Sequence, residues 1–506
     1  MRRSYRGTWL AMRVLRRGVP GLAVLLCVSA GVLRAQNVSQ DELAKKLELL
    51  TDAVGRAQQQ LEQSQRQLSD LRRELDEVRR QMNGSAAADP DPPADAEQLA
   101  AQVEALKEAQ AMQQAEIATH EQSKVESGSK YPVKVSGLIL LNGFVNTGGV
   151  DTPAAPTLAL GGPGSTGATM RQTVLGIDAL GPHLLGARSH GDVRADFFGG
   201  TGGVGAYSSI GMLRLRTAHA SLDWARTELF FSLDRPLINP TQPSSLTAVA
   251  IPPLSWSGNL WTWNAQMGVT QDEEFGGGER FRMQAALMDV ADPPYSTVST
   301  TGTTYPTSSV ELSRWPGIQT RLAVMGNEED RGFQLGAGGY FAEHRTTYGS
   351  RFDSWAGTMD YRQPLPGRLE LSGNFYRGSA LGGLGGGAYK DYGVRADPDH
   401  PGNFYVRALD DAGGWAQMKE RATERLEFNG AFGVDDVPAG EVRRYTGAAT
   451  GNYQNLSRTQ TFMGNVLYSP SAWVQFSLEY RHLASASVNA PSAAANVIGV
   501  AAGYKF

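Results

Sequence analysis

Eight arginines fall within the first half of a long segment that begins near residue 131: Arg188, Arg194, Arg214, Arg216, Arg226, Arg280, Arg282 and Arg321. Asp192, Asp196, Glu228 and Asp234 share their polar faces. A guanidinium stays charged at any physiological pH and offers five donors in a planar fork. Beside a wet path, such groups concentrate anions and oppose cations. Opposed rows of both signs would also set up a transverse field that orients dipolar solutes. The same side chains could instead pair across strands and do no more than fill a wall.

Covalent chemistry finds no comparable pattern. None of the seven histidines has a partner at the i, i+4 spacing of a helical zinc site. No G-x-S-x-G elbow occurs. The glycine runs "FGGGE" (Phe275–Glu279) and "LGGLGGG" (Leu381–Gly387) do not lead from a buried strand into a helix, so they read as a turn and an external loop rather than phosphate cradles. The single cysteine, Cys27, lies in a segment expected to be removed, which excludes structural disulfides and cysteine–metal sites from the mature chain. The chain therefore reads as a non-enzyme with no catalytic residues, no cofactor and no metal. A formal charge of −4 is too near neutral to suggest nucleic-acid binding.

The elements that position the arginines follow from periodicity. Beyond Tyr131 apolar residues recur every second position. "AWVQFSLEYRH" sets Val474, Phe476, Leu478 and Tyr480 against Gln475, Ser477, Glu479 and Arg481. "GARSHGDVRADFFG" sets Arg188, His190, Asp192, Arg194 and Asp196 against Ala187, Val193, Ala195 and Phe197. A soluble sandwich would hide the apolar face, whereas a barrel in lipid turns it outward around a polar lumen. Segments of about ten residues or more suit a tilted crossing. No stretch after the N-terminus is apolar for 18 residues, so helical spans are out.

Sixteen strands are expected, at about 133–147, 170–181, 186–199, 210–223, 226–234, 257–270, 280–290, 318–326, 332–345, 351–363, 368–379, 414–421, 424–434, 458–469, 472–485 and 493–506. Long and short connections alternate, as expected of external loops and periplasmic turns. The long ones include 148–169 and 380–413. Segment 235–256, rich in proline and uncharged after Arg235, suits a loop folded into the lumen or packed on a neighbouring subunit.

Ahead of this region, residues 1–35 have the layout of a secretory signal peptide: arginines, the apolar run Val19–Leu33, then Ala35-Gln36. Met1 and Met12 both remain open as the start. Residues 40–83 carry heptads, with Leu47, Val54, Leu61, Leu68, Leu75 and Met82 in one seam and Leu43, Leu50 and Leu71 in the other, a coiled-coil pattern. A proline-rich linker (84–96) and a short helix (97–122) follow, before the barrel at 131–506. The last strand places Ile498, Val500, Ala502, Tyr504 and Phe506 on one face. That layout is similar to the C-terminal signal of bacterial outer-membrane proteins, with Phe506, Tyr504 and Ile498 as the residues the assembly machinery would read.

The heptads, the opening "VKVSGLILLNGFV", the segments "GDVRADFFG" and "LRLRTAHASLDW", and the closing "GYKF" together resemble the DcaP-like porins. These are trimeric outer-membrane porins with an N-terminal periplasmic coiled coil. The resemblance implies a homotrimer of sixteen-stranded β-barrels in outer-membrane lipid, passing small, often anionic solutes such as dicarboxylates. It marks Arg214 and Arg216 as pore-lining. Phosphate-selective porins share much of the plan. A structural anchor, its coiled coil spacing the cell envelope, is the rival from another class.

Overall fold

The computed structural model describes residues 124–125, 131–200, 211–275, 278–293, 307–326, 332–346, 349–446 and 454–506. The expected signal peptide, coiled coil, linker and short helix (1–35, 40–83, 84–96 and 97–122) lie outside the described residues. Among those residues no helix is long and apolar enough to cross a membrane.

Strands dominate. They are β1 (Val133–Val150), β2 (Ala159–Thr169), β3 (Val174–Leu184), β4 (Ala187–Asp196), β5 (Arg214–Asp223), β6 (Thr227–Asp234) and β7 (Asn264–Phe275). β8 (Glu279–Asp289), β9 (Gly317–Met325), β10 (Gln334–Arg345), β11 (Arg351–Leu365) and β12 (Leu369–Ser379) follow. After the small hairpin β13 (Tyr392–Ala396) and β14 (Phe404–Ala408) come β15 (Asp410–Arg421), β16 (Leu426–Asp436), β17 (Leu456–Tyr468), β18 (Val474–Ser487) and β19 (Ala493–Lys505). Two short helices, α1 (Ser309–Ser313) and α2 (Ala439–Thr446), sit in connections.

β2 and β3 both pair antiparallel with β1, each later barrel strand pairs antiparallel with the next, and β19 pairs with β1 from Leu138↔Lys505 to Asn146↔Val497. Gly137 and Phe506 extend that seam by exchanging backbone hydrogen bonds of 2.9 and 3.1 Å. The ladder is therefore closed and leaves no edge, which a lipid environment requires. β2 and β3 lie along successive parts of the same edge of β1, against Asn142–Val150 and Val133–Leu138. Counted as one stave, they complete a sixteen-stave barrel. The expected loop 148–169 is thus shorter than the sequence suggests. Its Gly/Thr-rich second half still offers a full set of backbone groups, and pairing them with β1 extends the wall.

Side chains divide as the alternation requires. Ile139, Leu141, Ile498, Val500 and Tyr504 face outward, as do Phe476, Leu478 and Tyr480 on β18. This is the apolar belt of a membrane barrel. Turns at the base, the end holding Val133 and Phe506, are tight. Leu185 and Gly186 join β3 to β4 with φ of 53° and 81°, the positive pair a two-residue hairpin demands.

At the opposite end, the mouth, two of the described connections fold inward. Residues 235–263 between β6 and β7 cross the lumen, and their backbone is hydrogen-bonded by wall side chains from several directions. Asn142 donates to the Leu246 carbonyl (3.1 Å), and Asn374 to that of Ile238 (2.9 Å). Gln319 Oε1 accepts from Leu237 N–H and Gln417 Oε1 from Ser244 N–H. Gln172 Oε1 accepts from both Val249 and Ala250 N–H, while its amide donates to Thr247 O. Ser245 and Thr247 hydroxyls donate to Glu479, itself 3.1 Å from Arg481. Irregular backbone at membrane depth is tolerated when it lies inside protein and its polar groups are satisfied. The strand expected from 257 begins only at Asn264, because Ser257–Trp263 belong to this loop.

The loop tip meets the far wall where that wall has no side chains. A Cβ on Gly433 of β16 would stand 2.1 Å from Ser257 O, and one on Gly258 (φ 97°) would stand 2.0 Å from Gly414 O. Residues 381–391, expected as an external loop, are buried beside this tip. Tyr389 stacks on Trp256 with ring centroids 4.1 Å apart, Gly387 N–H donates to Asp411, and Ala388 N–H donates to Asp435. Burial lowers Lys390 in this segment to about 7, against the opposing pull of Asp435 and Asp411.

Gly433→Val should dislodge the tip without opening the barrel. Limited proteolysis is expected to cut residues 235–263 in the variant but not in the wild type, while the heat-modifiable gel mobility of the folded barrel stays unchanged.

Candidate functional site

Between the crossing loop and the base lies a cavity of about 700 Å³. Its ionisable lining comprises Lys134, Arg194, Arg216, Asp234, Arg235 and Lys505, with Gln242, Thr217, Trp263 and Trp473 among the remainder. Cationic side chains outnumber carboxylate side chains in this lining, five to one.

The arrangement originates in β5. Alternation alone would put Arg214, Arg216, Ala218, Ala220 and Leu222 on one face. A β-bulge intervenes: Arg194 pairs with Thr217 but Ala195 pairs with Leu215, leaving Arg216 as the extra residue. Beyond the bulge Ala218 lies opposite outward Val193, and Ser221 lies opposite His190 on the inner face. The bulge lets Arg214, Arg216 and Thr217 all reach the lumen while the small apolar residues still face out.

The two arginines are not equivalent. Arg214 grips Asp196 with two hydrogen bonds, 2.8 Å from Nε and 3.0 Å from Nη2, and donates to the loop carbonyl of Ala250 at 2.6 Å. Its charge is neutralised and it serves as a loop anchor. Arg216 makes no hydrogen bond or ion pair among the described residues. It lies against the indole of Trp263, 5.2 Å from the ring centroid, and Arg214 lies 5.1 Å from the same ring. Cation–π contact holds the Arg216 guanidinium in place without satisfying its donors. Arg235 enters from the first residue of the crossing loop. Its Nη1 is buried without a hydrogen-bond partner, and burial lowers its pKa, with Asp234 opposing.

The other arginines are distributed differently. Arg194 pairs with Asp178 at 2.6 Å and approaches Asp192 at 3.7 Å. Arg280 and Arg282 share Asp272, at 3.7 and 2.7 Å. Arg321 is buried in a bidentate pair with Asp360 (2.8 and 2.7 Å) and donates to Gln284 at 3.0 Å. Arg226 lies exposed at a base turn, 3.0 Å from Glu273, and Arg188 is exposed near the base of β4. Arg194 and Arg216 therefore line the cavity, Arg214 stands beside it on Trp263, and Arg280, Arg282 and Arg321 are held in ion pairs of the wall, whereas Arg188 and Arg226 lie exposed near the base. Sequence reading missed Arg235, Lys134, Lys505 and Trp263. Arg235 was visible as the one charge in the proline-rich loop, while the lysines required knowing where the seam closes.

No family model matches the chain, and no curated sequence matches it. Solved structures do. The outer-membrane channel DcaP of Acinetobacter baumannii superposes with a TM-score of 0.55 at 14% identity, covering 76% of this chain and all of that one. An anion-selective porin from Comamonas acidovorans gives 0.46 at 12% identity over 74% of this chain and all of its own.

Arg321→Ala should cost roughly 3–5 kcal/mol of barrel stability, because it strands Asp360 as a buried unpaired charge. Arg216→Ala should change stability little, since no ion pair is lost. Urea unfolding in detergent, followed by tryptophan fluorescence, measures both. In fold, the chain is a closed sixteen-stave β-barrel of the kind seen in the outer-membrane channel DcaP.

Proposed function

We propose that this protein is a passive outer-membrane channel for small hydrophilic anions, of dicarboxylate-like size and charge. The observation that carries the reading is two arginines without an ion pair among the described residues, Arg216 and Arg235, which share with Lys134 and Lys505 a cavity beneath a loop that crosses the lumen. Most other lumen arginines are matched by carboxylates at 2.6–3.7 Å. A fixed positive excess raises the local anion concentration and repels cations. Unsatisfied guanidinium donors also offer a transient replacement for part of a carboxylate's hydration. Water and the opposing Asp234 keep that binding weak enough for release.

The apolar belt and closed ladder support a membrane location, and the resemblance to outer-membrane porins supports the outer one. In that setting Ile498, Tyr504 and Phe506, all outward on β19 or just beyond it, are the residues the assembly machinery would read. The heptads at 40–83 support self-association through a coiled coil, and the likeness to the DcaP-like porins supports a trimer with that coiled coil in the periplasm.

Planar-bilayer recording in a salt gradient tests the reading. Wild-type protein should conduct and prefer chloride over potassium. Arg216→Ala combined with Arg235→Ala should lower the anion-to-cation permeability ratio by about threefold or more. An unchanged ratio would remove both residues from the filter, and absence of any conductance from the folded protein would sink the channel reading and favour an envelope anchor.

A further inference from the structure

A second group of ionisable side chains lies at the mouth, apart from the cavity. Asp292 follows β8, His344 is near the end of β10, and Asp391 ends the inward segment 381–391. One ligand atom from each lies within 4.8 Å of the others. Two of the three are deeply buried, with Asp391 and His344 each 2% exposed. The segments meet because glycines let them: a Cβ on Gly383 would stand 2.6 Å from Ala291 O, and one on Gly382 would stand 2.9 Å from the Pro293 ring.

The polar atoms here are acceptors short of a donor. Asp391 Oδ1 accepts from Gly383 N–H at 3.1 Å, but Oδ2 has no partner. Asp292 Oδ1 accepts from Ser309 N–H at 3.0 Å and from Ser309 Oγ–H at 2.5 Å. The serine proton being committed, its oxygen accepts from His344 Nδ1–H at 2.8 Å. His344 Nε2 then carries a lone pair, and it too has no partner. Neither carboxylate has an ion pair among the described residues. Two carboxylates brought this close, one of them in the interior, are costly unless a proton or a metal cation joins them, and the unpartnered imidazole nitrogen beside them is a ligand for the metal.

We propose that Asp292, His344 and Asp391 bind one divalent transition-metal ion that fastens the connections after β8 and β12 to β10. Two carboxylate oxygens and one imidazole nitrogen suit Zn²⁺ or Mn²⁺ better than Ca²⁺, which takes six to eight oxygens. Ser309 supplies the outer hydrogen bonds that orient Asp292 and fix the histidine tautomer. The site binds no solute of the channel. It holds mouth segments that pack beside the crossing loop, and it stands whether or not the channel selects anions.

Chelator-stripped full-length protein in detergent, titrated with Zn²⁺ by calorimetry, tests this. About one ion per chain is expected. Asp391→Asn, nearly isosteric, and His344→Gln should each weaken uptake by about tenfold or more. Asp178→Asn is the control: it alters a separate Asp178, His190 and Asp192 group near the base and should leave uptake intact. Heat-modifiable mobility confirms that each variant is folded. No saturable uptake by the wild type, or uptake that survives both mouth substitutions, would overturn the site. So would uptake lost only in Asp178→Asn.

Discussion

Lipid offers no hydrogen bonds. Every backbone N–H and C=O at membrane depth must therefore find a partner in the chain, and a closed ladder is the way strands achieve it. The seam between β1 and β19, extended by the Gly137–Phe506 exchange, is where this requirement is met. Closure then dictates the rest. Alternate side chains point at acyl chains and must be apolar, and the others point inward and can be polar. The charged residues of the wall thus share one enclosed space, where each must be paired, wet or used.

Most are paired, and many of the inner polar groups have a second task. Asp196–Arg214 and Glu479–Arg481 hold the crossing loop as well as each other, through Ala250 O in the first case and Ser245 and Thr247 in the second. Neutral amides do the same at Gln172, Asn374 and Gln417. A loop without regular structure can cross the lumen because these groups satisfy its backbone one bond at a time. Glycines at 258, 414 and 433 leave room for its tip. Arg216 and Arg235 stand outside this scheme, without an ion pair among the described residues.

Much of this was legible in the residues. Period-two alternation fixed which face of β16, β17, β18 and β19 meets lipid, since Phe432, Phe462, Leu478 and Val500 lie outward as their spacing demands. The sixteen-strand count also followed from alternation and the rhythm of long and short connections. The proline-rich segment at 235 was recognisable as a covered loop, either in the lumen or against a neighbouring subunit, because an exposed loop of that length would carry more charge; its contacts with the wall place it in the lumen. Short-range rules of pleat and turn suffice for such features, as each depends on neighbours within a few residues.

What the sequence could not separate was one arginine from another. Arg214, Arg216, Arg282 and Arg321 have the same chemistry and similar spacing, yet Arg321 is locked to Asp360 and Arg216 is not. That difference depends on which strand lies opposite, on a bulge that shifts register by one residue, and on a loop residue brought from 235. The mouth group of Asp292, His344 and Asp391 is likewise invisible along the chain, its members being separated by some fifty residues at each step. Alternation along a strand is local and can be read from residue types, whereas charge pairing and ligand clustering depend on which distant segments the closed barrel brings into contact.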